Sequence, residues 1–307
     1  MARLSSTVLL VALLAATAGA FALTQGAKLE LAPIYDTAVD KTFSPTCGCP
    51  TRVAHIEFRL RKAQRVSVWI ERGGERIATL TSNRRYPAGR IAVVFRGRGA
   101  DGLTLPDGTY EPVVHLAAAR DTIRLPNPIA LDTIAPVPTV VAVAPTTISP
   151  DGDLTNPAVY VTYRLSGAGH AILSVAGRGD VEYTRFQPVR GRLVWYGRFR
   201  DRPAKAGVYR LLVATEDTAG NRSKPVPAGE VRVAYVTVSP SRIEVAPGET
   251  FTVKAVTDAK SVGWLFAGVH GRFATGRLRF TAPSTSGTYT LYVKVGTHAA
   301  RTEVVVR

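Results

Sequence analysis

Both cysteines of the chain lie in Cys47-Gly48-Cys49. On an extended backbone, side chains two positions apart share one side, with Cα atoms about 6–7 Å apart, near the limit for bridging. Gly48 relaxes that backbone, so the pair reads first as a disulfide clip, then as an intermolecular bridge or half of a metal site. Two thiolates do not complete a zinc shell, and only His55 is near enough in sequence to add to them. A second group is Asp151-Gly152-Asp153-Leu154-Thr155-Asn156. Asp151, Asp153 and Asn156 are oxygen ligands at a calcium-like spacing, although the same residues favour a plain polar turn and a further acidic ligand is missing. Gly97-Arg98-Gly99-Ala100-Asp101-Gly102 spells a phosphate-loop pattern. The segment after it, Leu103-Thr104-Leu105-Pro106-Asp107-Gly108, is no helix that would aim amides at a pyrophosphate. Arg178-Gly179-Asp180 spells an adhesion tripeptide and Asn221-Arg222-Ser223 a glycosylation sequon, both short enough to arise by chance. The histidines, at 55, 115, 170, 270 and 298, are scattered, and neither G-x-S-x-G nor H-E-x-x-H occurs. No nucleophile, base and metal set assembles, so no catalytic residue and no cofactor is expected.

Charge points to partners. The 307 residues carry 39 Lys+Arg against 23 Asp+Glu, a net charge of +16. Arg190, Arg192, Arg198, Arg200 and Arg202 form one basic cluster, and Arg59, Arg61, Lys62 and Arg65 another. Such clusters attract anionic wall polymers or lipid headgroups, or else are a merely solvated basic surface. Nucleic acid is not an expected partner, because no reading motif is present.

The elements that would position these groups are strands. Residues 4–27 lack any charge and hold the apolar core VLLVALL at 8–14 behind Arg3. Segment 1–27 therefore reads as a secretory signal, with small residues at Ala18-Gly19-Ala20 and Ala20-Phe21-Ala22, or as an uncleaved membrane anchor. Either places the remainder outside the cytoplasm. Residues 28–42 are expected as a spacer. Beyond it, apolar side chains recur two apart, as in Val66, Val68 and Ile70, or Phe251, Val253 and Ala255, which is the period of half-buried strands. No helical stripe of ten or more residues interrupts them.

The strands repeat. Phe43-Ser44-Pro45 returns as Ile148-Ser149-Pro150, and Phe58-Arg59-Leu60 as Tyr163-Arg164-Leu165. Phe95-Arg96-Gly97 returns as Trp195-Tyr196-Gly197, and Gly108-Thr109-Tyr110 as Gly207-Val208-Tyr209. The order is kept, and the period of roughly 100 residues is that of one β-sandwich. Gly97 and Gly197 suit a positive φ at a strand end, and Tyr110 and Tyr209 suit a tyrosine corner. Residues 126–145 hold five prolines and read as a stiff connector rather than sheet interior. Residues 236–307 form a shorter third β unit around Trp264.

With Asp217-x-Ala-Gly220-Asn221-x-Ser223 and the junction Leu131-Asp132-Thr133-Ile134-Ala135-Pro136, the repeat resembles the bacterial Ig-like module of flagellar hook-capping proteins, over roughly residues 43–238. The same module occurs in exported proteins unrelated to flagella. The expected fold is all-β: three tandem Ig-like sandwiches at 43–134, 135–235 and 236–307 behind an N-terminal helix. The resemblance implies non-catalytic spacer or adhesion modules; with the β texture and the basic charge, the leading expectation is a non-enzymatic envelope protein whose domains act as spacers and as interaction surfaces for a protein or an anionic wall polymer. A wall-polymer- or carbohydrate-binding accessory role is the alternative, with a flagellar hook-assembly role behind it. The alternative predicts exposed aromatic side chains among Trp69, Trp195, Tyr196 and Trp264.

Overall fold

The computed structural model describes residues 2–29 and 32–307. A single helix, α1 (Ala2–Leu29), precedes the strands. Among the described residues no helix is long and apolar enough to cross a membrane.

The chain forms two compact units, Met1–Thr133 and Ile134–Arg307. The first unit has nine strands: β1 (Ile34–Val39), β2 (Thr42–Phe43), β3 (Ala54–Leu60), β4 (Gln64–Arg72), β5 (Glu75–Tyr86), β6 (Gly89–Phe95), β7 (Gly108–Leu116), β8 (Asp121–Arg124) and β9 (Ile129–Leu131). One sheet runs β1-β3-β6 and the other β2-β9-β7-β4-β5, with β8 beside β7. Strand β1 lies inside the stretch expected as a spacer. A bulge between Tyr35 and Ala38, with Asp36 at φ +52°, hides its two-residue period from the sequence.

The second unit holds two such pairs of sheets. The first pair uses β10 (Pro138–Ala144), β11 (Thr147–Ile148), β12 (Val159–Leu165), β13 (His170–Val175), β14 (Gly179–Tyr183), β15 (Arg190–Trp195), β18 (Gly207–Glu216) and β19 (Val226–Val233), with a small hairpin of β16 (Arg198–Phe199) and β17 (Arg202–Pro203). Its orders are β10-β12-β15 and β11-β19-β18-β13-β14. The other pair uses β20 (Thr237–Ser239), β21 (Arg242–Val245), β22 (Thr250–Val256), β23 (Ser261–Phe266), β24 (Val269–Ala274), β25 (Arg277–Thr281), β26 (Gly287–Val295) and β27 (His298–Val306). Its orders are β20-β22-β25 and β21-β27-β26-β23-β24. The proline-rich connector thus contributes β9 and β10. Pro138 is the first residue of an edge strand, where a missing amide donor is tolerated.

All three sheet pairs share one strand order, including a short parallel pairing to the last strand (β2 with β9, β11 with β19, β21 with β27). This is an Ig-like Greek-key arrangement, repeated. The cores follow from the alternation: Ala54, Ile56, Phe58 and Leu60 point inward along β3 while their neighbours face out. Aromatic clusters centre the cores, with Phe95 between Phe43 and Tyr110, and Trp195 against Phe199 and Tyr209. The matched sequence signals meet in space. Pro45 packs on Gly97, and Pro150 on Gly197. Tyr209 donates from its hydroxyl to the Lys205 carbonyl (2.8 Å), and Tyr110 does the same to Pro106. Tyr289 donates to Thr285 (3.0 Å), a third tyrosine corner after a third Gly-x-Tyr, Gly287-Thr288-Tyr289.

Candidate functional site

In the first sandwich of the Ile134–Arg307 unit, β14 and β15 are edge strands of opposite sheets. A cleft of about 730 Å³ is lined by Arg178, Asp180, Glu182, Tyr196, Arg198 and Arg200 over apolar Val194, Trp195 and Phe199. Local turns aim these groups. Arg178 sits between Gly177 (φ +70°) and Gly179 (φ +90°) in the turn from β13 to β14, and Arg200 turns the β16–β17 hairpin at φ +53°. The Arg178 guanidinium lies over the Phe199 ring at 5.5 Å. Arg198 donates to the Asp201 carbonyl, as Arg98 does to Gly102 (2.8 Å) in the matching loop of the first unit, so it also staples its own loop. Burial pushes the Asp180 carboxyl up, but hydrogen bonds from Ser174 (2.7 Å) and Arg222 (2.8 Å), with the Arg222 charge, outweigh it and hold the group below the usual carboxylate range. Asp180 is therefore committed to Arg222. Burial pushes the Glu182 carboxyl up. Among the described residues no carboxylate lies within ion-pair distance of Arg178, Arg198 or Arg200. The cleft thus presents three guanidinium groups outside any such ion pair, beside Tyr196, which is 56% exposed.

Of the five clustered arginines, only Arg198 and Arg200 reach this cleft. Arg190 and Arg192 are exposed along β15, where Arg192 covers the Tyr160 ring at 4.4 Å, and Arg202 is exposed on β17. Arg178 was not part of the sequence cluster; only the sandwich brings its turn to the hairpin. The other basic run does not converge. Arg59 pairs with Asp36, Arg61 covers Tyr35, and Arg65 donates to the Asn83 carbonyl. Of the four aromatics, Trp69 and Trp195 are buried and Trp264 is half-buried against Phe273 and Phe280, which leaves Tyr196 alone exposed.

The acidic segment lies where the two sandwiches of the Ile134–Arg307 unit meet. The Asp151 carbonyl accepts from the Thr297 amide (2.7 Å) and hydroxyl (2.9 Å), and Tyr235 stacks on His298 at 3.7 Å. Asp151 and Asp153 are joined by Asp258, with one carboxylate oxygen of each within 4.8 Å of the others. Asn156 approaches as a donor, giving its Nδ2 hydrogen to Asp258 (3.3 Å). Three oxygens fall short of the six to eight that calcium takes. Asp151 is fully buried and accepts from Ser149 Oγ (3.0 Å) and the Asp153 amide (3.1 Å). Burial first, then the Asp153 charge, raises its pKa against those two bonds. A carboxyl raised in the folded state favours folding when protonated, so its contribution is fully present below the unfolded Asp value of about 3.9 and is lost as pH rises through the folded value. Asp151→Asn is expected to raise the urea midpoint of this unit at pH 7 and to abolish its gain on acidification, measured with a chelator present.

Cys47 and Cys49 are joined in a disulfide, with Cα atoms 5.2 Å apart, in the loop between β2 and β3. The Gly97–Gly102 segment is a turn with no helix after it. The sequon amide is occupied, since buried Asn221 donates from Nδ2 to Asp217 (2.9 Å). His55 pairs with Asp40 (2.9 Å), and His170 stacks on Tyr183.

No family model and no curated protein matches the chain. Among solved structures, it overlaps fibronectin(III)-like modules of Clostridium thermocellum CbhA at 16% identity and a TM-score of 0.34, covering 65% of this chain and 92% of that one. The titin I9–I11 tandem overlaps at 12% and 0.32, covering 88% and 98%. The Bacteroides ovatus mixed-linkage glucan utilization protein SGBP-B, solved with a mixed-linkage heptasaccharide, overlaps at 14% and 0.20, covering 89% and 67%. With overlaps this loose, the fold rests on strand order and pairing.

Proposed function

We propose that this chain is a non-enzymatic, extracytoplasmic interaction protein, led by a signal peptide at 1–27 and built of Ig-like domains at 43–134, 135–235 and 236–307. The domains space and present a binding surface, and the middle one takes an anionic cell-wall polymer. The cleft of Arg178, Arg198, Arg200 and exposed Tyr196 is the observation that carries this reading. Guanidinium forks suit carboxylate and phosphate groups, and a tyrosine face suits the flank of a sugar ring. The apolar side chains of α1 from Val8 to Phe21 are exposed, which fits a leader that is removed after export.

Calorimetric titration with a polyuronate and with a neutral β-glucan of equal length tests the binding. The polyuronate is expected to bind, more weakly as salt rises, while the neutral chain does not. Arg178→Gln with Arg200→Gln, or Tyr196→Ala, is expected to weaken it about tenfold, roughly 1.4 kcal/mol. Equal binding of both polymers would refute an electrostatic cleft. Intact mass of the native exported protein tests the leader.

A further inference from the structure

We propose a second anion site, on the Met1–Thr133 unit, that takes a phosphate monoester group. It shares no residue with the cleft above and goes beyond that reading. A small cavity of about 170 Å³ is lined by Pro45, Arg52, Val53, Arg96, Arg98 and Thr104. Three of those six side chains are guanidinium groups.

Their backbones are held from several sides. The Arg52 amide donates to the Cys49 carbonyl (3.2 Å), directly beside the Cys47–Cys49 disulfide. Arg96 and Arg98 flank Gly97, whose backbone packs on Pro45, Leu131 and Phe43. Arg98 Nη1 donates to the Gly102 carbonyl (2.8 Å), which orients its guanidinium. Elsewhere in this unit arginines meet carboxylates: Arg59 with Asp36 (3.0 Å), Arg90 with Glu57 (2.5 Å) and Arg124 with Glu71 (2.9 Å). Among the described residues, Arg52, Arg96 and Arg98 have no carboxylate within ion-pair distance. Asp101, on the same loop, accepts from the Leu103 amide (3.0 Å). Three like charges around one cavity repel until an anion enters.

The donor set selects the anion. Guanidinium forks bind oxyanions bidentately, and the Thr104 hydroxyl adds another donor. A phosphate monoester brings about two negative charges and three terminal oxygens near neutral pH, where a carboxylate brings one charge and two oxygens. The cavity holds one such group, free or at the end of a larger molecule.

Amide NMR of the full chain, titrated at constant ionic strength with inorganic phosphate, glycerol 3-phosphate or acetate, tests this. Saturable shifts are expected at Arg52, Val53, Arg96, Arg98 and Thr104 with both phosphates, tenfold or more tighter than with acetate. Binding should weaken below about pH 6, where the phosphate gains a proton. Tighter glycerol 3-phosphate would identify a terminal group as the ligand, and tighter inorganic phosphate the free ion. Arg52→Gln with Arg96→Gln should abolish the shifts while leaving the β-sheet amide spectrum unchanged. Shifts reproduced by chloride, equal binding of acetate, or binding untouched in the double variant would overturn the proposal.

Discussion

Gly197→Ala is expected to cost the Ile134–Arg307 unit about 3 kcal/mol, from a left-handed backbone penalty of about 1–2 kcal/mol and an overpacking penalty of about 1–3 kcal/mol. Gly197 has φ +58°, and an added Cβ would lie 2.8 Å from Pro150 Cγ and 3.0 Å from Ile148 Cδ1. Both neighbours are fixed: Ile148 is fully buried, and the backbone beyond Pro150 is bonded through Asp151 to Thr297. For a unit of this size the melting temperature should fall by roughly 6–12 °C. Gly97→Ala should act likewise in the first unit, where Leu131 Cδ1 is 3.0 Å and Pro45 Cγ 3.1 Å away. Gly167→Ala is the control, since nothing lies within 4 Å of its Cβ position, and it should stay within about 0.5 kcal/mol. Equal effects at 167 and 197 in calorimetry would defeat the idea that the Ser-Pro and aromatic-x-Gly signals are one packing device.

The second large effect concerns the meeting of the two sandwiches within the Ile134–Arg307 unit. At Gly296 (φ +52°) a Cβ would overlap the Asp151 carbonyl oxygen, which is backbone and cannot swing aside. Gly296→Ala must therefore displace one sandwich from the other. It forfeits the two Thr297 hydrogen bonds, at about 1 kcal/mol each, and disturbs the Tyr235–His298 stack. One unfolding transition for the unit should become two, and exchange of the Thr297 amide should quicken by about thirtyfold, the ratio that roughly 2 kcal/mol implies. A single transition at the original midpoint would show that the two sandwiches do not depend on this contact.

Much of the architecture was legible because strand burial has a period of two. The inward sets at Val66-Val68-Ile70 and Phe251-Val253-Ala255 are plain in the sequence, and the Ser-Pro, aromatic-x-Gly and Gly-x-Tyr signals mark packing points that recur in fixed order. Strand β1 is hidden in the sequence because a bulge breaks its period, and β10 because prolines mask an edge strand. The third Gly-x-Tyr, at Gly287-Thr288-Tyr289, is a signal of the same kind and ties the last unit to the others.

The candidate sites were legible only in fragments. Sequence proximity groups Arg198 and Arg200 without Arg178, groups Asp151 and Asp153 without Asp258, and does not group Arg52 with Arg96 and Arg98. Local periodicity depends on near neighbours, so the chain alone determines that it is an all-β repeat. Which charges meet depends on loop closures between strands far apart in sequence, where one register shift reverses every side chain, so the pairing of sheets alone decided where the arginines converge.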